Sequence, residues 1–143
     1  MPLNFEEIEI GGEFGPVDKV VSSKDVEEFT RIQNEDRTAP SFFTDADAAH
    51  REGLPGKIVP GPICMAFMAQ LVVSWSDGGW IRKLDVVFRQ TVPHNTPLRV
   101  VGVVTDKYEA DNKGQVECDV CVESVEGDRL VGGHVIVVLP LHS

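Results

Sequence analysis

From Pro62 to Ser74 the chain reads Pro-Ile-Cys-Met-Ala-Phe-Met-Ala-Gln-Leu-Val-Val-Ser, apolar nearly all round a helical wheel. A helix without a broad polar face must be covered on most sides. Pro62 occupies the first turn, where its missing N–H is one that no helix bond needs. After Ser76-Asp77-Gly78-Gly79 the pattern changes to a period of two. Trp80 to Thr91, Pro97 to Tyr108, Gly114 to Val125 and Arg129 to Leu139 read as four long strands of nearly equal length. Turns at Pro93-His94-Asn95, Asp111-Asn112-Lys113 and Glu126-Gly127-Asp128 separate them, which predicts antiparallel neighbours. In the first strand Trp80, Leu84, Val86 and Phe88 line one face, and Lys83, Asp85 and Arg89 the other. One antiparallel sheet curling around one buried helix is an α+β architecture. At 143 residues the chain fits a single domain, 1–143.

The half before the helix is shorter in grain. Phe5 to Phe14 is an entry segment carrying Gly11-Gly12, and Pro16 to Val21 reads as a strand. Ser23 as N-cap starts a helix whose stripe is Val26, Phe29 and Ile32 and which ends near Asn34. Glu35 to Thr44, interrupted by Pro40, is a loop. Asp45 to Glu52 is a second helix, with Thr44 as cap and Gly53 as stop. Leu54 to Gly61, with two prolines and two glycines, is a rigid turn into the apolar helix. Loop, turn and helix N-terminus in that order can build a pocket with backbone N–H groups aimed at a ligand.

Charge narrows the choice of ligand. Asp+Glu number 23 against Lys+Arg 13, a formal net charge of −10. Such a surface argues against nucleic acid, whose affinity comes from Lys and Arg on phosphates, and against an anionic membrane. An anionic CoA ester needs a local basic patch, for which Arg31, Arg37, Arg51, Lys57 and Arg89 are the candidates. The first residues show no basic and apolar leader, and the apolar helix is too short to span a bilayer. Three cysteines, an odd number, suit a reducing cytoplasm. Cys118 and Cys121 form a C-x-x-C, but in an alternating strand they point to opposite faces, so no metal or redox role is expected. His50 reads as exposed, His94 and His142 as surface positions, and His134 as a strand histidine sharing the face of Leu130, Ile136 and Val138.

The order of these features resembles a MaoC-type hydratase domain of the hot-dog fold. The resemblance runs through Phe5-Glu6-Glu7-Ile8-Glu9-Ile10-Gly11, Val26-Glu27-Glu28-Phe29, Gly53-Leu54-Pro55-Gly56-Lys57-Ile58-Val59-Pro60-Gly61 and the stretch Ile81 to Val92. It implies an acyl-CoA or acyl-carrier thioester as ligand, no cofactor, and a homodimer or heterodimer with another hot-dog chain. It further implies a site in which a loop Asp and His work on water and on the carbon next to the thioester carbonyl. The glycine opening the central helix, here Gly61, would donate to the enolate oxygen. The match of the loop is incomplete: Asp36 aligns with the family Asp, Phe42 stands at the His position, and Pro60 stands where a His often precedes the glycine. The hot-dog β-hydroxyacyl-carrier dehydratases offer no better match, since Gly53 and Ala66 stand at their catalytic positions. The expected site is therefore Asp36 and Gly61 for chemistry, with Phe42, Pro60 and Met65 against the substrate. Three activities fit it: a hydratase or dehydratase subunit with an atypical or partner-dependent site, a non-catalytic thioester-binding partner of an active chain, and a thioesterase.

Overall fold

The structure, a computed structural model, describes residues 4–34 and 41–141. A 3-10 turn at Phe5–Glu7 leads into β1 (Glu13–Lys19), α1 (Ser23–Gln33), α2 (Ala46–Arg51) and α3 (Gly61–Ser76). Then come β2 (Trp80–Phe88), β3 (Leu98–Ala110), β4 (Lys113–Ser124) and β5 (Arg129–Pro140). All five strands form one antiparallel sheet in the order β1-β3-β4-β5-β2.

Helix α3 is the object that the sheet wraps. Met68 and Val72 are fully buried, Cys64 nearly so, and Phe67 and Trp75 pack partly buried against the same core. From the sheet, Val100, Cys118, Val120, Val122, Val131, Val135 and Val137 close over this face. Helix and sheet approach closely because of a glycine. A Cβ on Gly133 would lie 2.4 Å from the Met68 Cε, so the methionine tip fills the place of a β5 side chain. At the far end Phe14 stacks on Trp75, with ring centroids 4.2 Å apart and planes 9° apart.

Local signals account for most boundaries. Helix α1 is held by a capping box one residue earlier than the sequence pattern places it: the Ser22 hydroxyl accepts from the Asp25 N–H at 3.0 Å, and the Asp25 carboxylate accepts from the Ser22 N–H at 3.1 Å. Of its stripe, Val26 is buried while Ile32 stands 70% exposed. Asp45, rather than Thr44, caps α2, accepting from the Asp47 N–H at 3.0 Å.

Two features of the sheet differ from the sequence expectation. The segment after β2 is not a hairpin turn. Strand β2 pairs with β5 at one edge, and residues 89–97 cross to the other side of the sheet to start β3. A bulge between Ile81 and Lys83 also turns Trp80 over: it pairs with Val138 and is 54% exposed, while Ile81 packs against the core. The cysteine expectation agrees with the structure, for Cys118 lies in the core cluster and Cys121 lines a groove on the opposite face of the sheet. No helix among the described residues is long and apolar enough to cross a membrane.

Candidate functional site

Three segments converge at the N-terminus of α3. The turn before it is tied on one side to the Phe42 segment, where the Ile58 N–H donates to the Phe42 carbonyl at 3.2 Å. On the other side the Val59 N–H donates to the Val92 carbonyl at 2.7 Å, next to a bridge between Ile58 and Pro93. His94 locks this junction. Its Nε2 lies 2.9 Å from the Ile58 carbonyl and must donate to it, and Nδ1 lies 3.0 Å from the Ser23 hydroxyl, from which a neutral imidazole accepts. Asn95 completes the clamp, its N–H donating to the Val21 carbonyl at 2.7 Å. Far from being an ordinary surface side chain, His94 pins the N-terminus of α1 to the turn that delivers Gly61. The sequence carries the residue but no signal of this bridge, because its partners lie 71 and 36 positions away.

Between these segments lies a cavity of about 380 Å³ lined by Phe42, Ile58, Gly61, Cys64, Phe88 and the backbone run 89–92. Its walls are largely apolar; Phe42 and Phe43 pack together with ring centroids 4.4 Å apart. Gly61 supplies the polar point. Pro60, the N-cap, has no side-chain cap bond, Pro62 has no N–H, and the Ile63 N–H is engaged by the Pro60 carbonyl at 3.1 Å. The Gly61 amide thus opens the helix with no partner among the described residues, at the positive end of the helix dipole. The glycine is required sterically as well, since a Cβ there would stand 2.6 Å from the Phe88 Cζ.

Of the ionisable groups lining this cavity, Cys64 is buried, and burial pushes its thiol up to about 11. Burial disfavours the charged thiolate, so the sulfur is a poor nucleophile near neutrality. Arg89 is exposed and, among the described members of the expected basic patch, it alone lines the cavity. No carboxylate or imidazole stands among the described lining residues.

The overall geometry has clear counterparts among solved structures. A MaoC-like dehydratase from Rhodospirillum rubrum superposes with a TM-score of 0.85 over 99% of each chain at 16% identity. The chain has the hot-dog fold. The unliganded R-hydratase PhaJ1 from Pseudomonas aeruginosa matches at a TM-score of 0.81 and 17% identity, covering 99% of this chain and 88% of that one. The HadBC (3R-hydroxyacyl-ACP dehydratase) complex from Mycobacterium tuberculosis matches at 0.74 and 14% identity over 90% of this chain and 96% of that one. No protein-family model and no curated protein matches the sequence.

Within this hot-dog frame the expected residues fall as follows. Gly61 and Phe42 share the cavity. Pro60 is buried as the α3 cap, and Met65 is half-buried outside the lining set, with Cys64 in the place expected of it. Asp36 lies outside the described residues, as do Arg37 and His142. Phe88, which touches Gly61 directly, has only its place in an alternating strand to mark it in the sequence.

The remaining strand histidine is spent elsewhere. His134 Nε2 lies 2.7 Å from Glu117 and Nδ1 3.0 Å from Asp119, on the sheet face that carries the Cys121 groove. Hydrogen bonds to Asp119 and then Glu117 raise its pKa above the usual 6.5, against a smaller opposing desolvation. A raised folded-state pKa means stabilisation that is full below about 6.5 and lost as pH climbs through the raised value. With its side chain 39% exposed, the trio is worth less than about 1 kcal/mol. The stability gap between wild type and His134→Gln should therefore be wider at pH 6 than at pH 9 in thermal melts. A gap that widened toward pH 9 would show the pairing to be misread.

Proposed function

We propose that this chain is a hot-dog subunit that binds an acyl thioester in the cavity beside Gly61, in the manner of a MaoC-like hydratase or dehydratase, with an atypical or partner-supplied acid/base. The observation that carries this reading is the Gly61 amide, without a partner among the described residues, in the wall of an apolar cavity of about 380 Å³. A thioester carbonyl accepting from that amide would have its developing enolate charge stabilised by the donor and the helix dipole. Water addition also needs a group to take a proton from water and one to deliver a proton to carbon. The described walls hold neither. Asp36 is the nearest acid upstream that the resemblance nominates; it is tethered six residues before Phe42, within reach of at most about 20 Å of extended chain.

A second reading draws on the same walls: the chain binds thioesters without turning them over and completes its site with an active hot-dog partner. The free edge of β2 suits such pairing, since Val87 is 59% and Phe88 52% exposed there and no strand among the described residues covers it. The dehydratase complex among the structural counterparts is an example of hot-dog chains working together.

Crotonyl-CoA hydration by the purified protein separates the readings. A self-sufficient subunit hydrates it alone and loses about 10²-fold or more in Asp36→Asn, the ordinary scale for removing an acid/base. Activity arising only on mixing with a second hot-dog chain favours the partner reading. Unchanged hydration in Asp36→Asn removes Asp36 from the mechanism, and release of free CoA thiol would make the protein a thioesterase instead.

A further inference from the structure

Phe88 is the last residue of β2, and it is an unusual neighbour for the opening residue of α3. Its ring tip stands 2.6 Å from where a Cβ on Gly61 would be, and a second ring carbon at 3.0 Å, so the ring lies against the glycine α-carbon beside the free amide. The same ring lines the cavity, while 52% of the residue remains open to solvent. On its strand the other core-side residues, Leu84 and Val86, are held in the helix–sheet core. Phe88 alone of these three ends over the helix terminus.

We infer that Phe88 is a specificity-determining residue that admits thioesters unbranched next to the carbonyl and excludes α-branched ones. The inference rests on the thioester reading of the cavity. A carbonyl oxygen accepting from the Gly61 N–H brings its own α-carbon to the region bounded by that α-carbon and the ring. A planar enoyl group lies flat against an aromatic face. A methyl on the α-carbon would add bulk on the side where the Phe88 ring tip stands, and the ring bounds the cavity there. A misplaced methyl in a shaped apolar site changes recognition by about 10- to 200-fold. Phe42 lines the cavity from another segment, and the three atoms nearest a Cβ position on Gly61 all belong to Phe88, so Phe42 is assigned contact area rather than this discrimination.

The test is calorimetric titration with crotonyl-CoA and 2-methylcrotonyl-CoA, which needs no turnover. Wild type should bind the unbranched thioester at least about tenfold more tightly. Phe88→Ala should bring the two affinities to within about threefold of each other, and Phe42→Ala should weaken both alike and keep the ratio. Because Phe88 is half-exposed at a strand end, its truncation leaves the core intact, and a retained far-ultraviolet spectrum checks this. A preference that persists unchanged in Phe88→Ala overturns the gate while leaving the thioester cavity standing. A preference that collapses equally in Phe42→Ala assigns discrimination to the cavity as a whole and also overturns it. Failure of wild type to bind either compound removes the thioester reading, and the gate with it.

Discussion

Replacing Gly61 with valine should abolish thioester recognition while leaving a folded protein. The new Cβ would stand 2.6 Å from the Phe88 Cζ, and valine adds two methyl groups to that overlap. The ring can yield, being 52% exposed, but it then fills the mouth of the cavity in which the amide must be met. Valine keeps the backbone N–H, so the effect is blocked access to it; where turnover occurs, denying the oxyanion one such donor typically costs about 10² to 10³ in rate. Affinity for crotonyl-CoA should fall by at least about tenfold for the same steric reason. Stability should change by no more than about 1 kcal/mol, because the position is in the first turn and the residue it disturbs is not core. Urea denaturation alongside calorimetry reads both quantities. Unimpaired binding by a folded Gly61→Val protein would place the ligand elsewhere.

The largest stability effect should come from Met68→Ala. Met68 is fully buried at the middle of α3, and its Cε fills the space that Gly133 leaves on β5. Truncation removes the methionine tip from a gap that no sheet side chain can fill, so the cost is both lost transfer energy and a cavity, about 2–5 kcal/mol. Val73, on the same helix but 48% exposed, supplies the contrast: Val73→Ala should cost less than about 1 kcal/mol. The denaturant midpoint of Met68→Ala should drop with an unchanged slope. A loss below about 1 kcal/mol would mean that α3 is not the packed centre of the fold.

How far the sequence foretells this molecule depends on the range of the forces involved. Helix α3 is legible because an apolar surface on nearly every side leaves it one environment, and the long strands because their period of two persists over 9 to 13 residues. Strand order is less legible. A Pro-His-Asn segment resembles a turn locally, and only tertiary pairing of β2 with β5 makes it a crossover. Trp80 follows the alternation that a regular strand would have, and one bulged residue at Arg82 reverses its face. That Gly61 opens the helix is foreseeable from the Pro-Gly-Pro entry, whereas its role toward a thioester comes from the resemblance. The bond network of His94 and the contact of Phe88 with Gly61 join residues 71 and 27 positions apart, and no local pattern encodes either. The role given to Asp36 rests on resemblance alone, as residues 35–40 lie outside the described structure.

The most direct test of the central claim is an NMR titration of the 15.7 kDa chain with crotonyl-CoA. Saturable shifts should concentrate at the Gly61 and Cys64 amides and at the rings of Phe42 and Phe88, with the groove around Cys121 and His134 unmoved. Shifts centred on Cys121 and His134, or none at any accessible concentration, would contradict it.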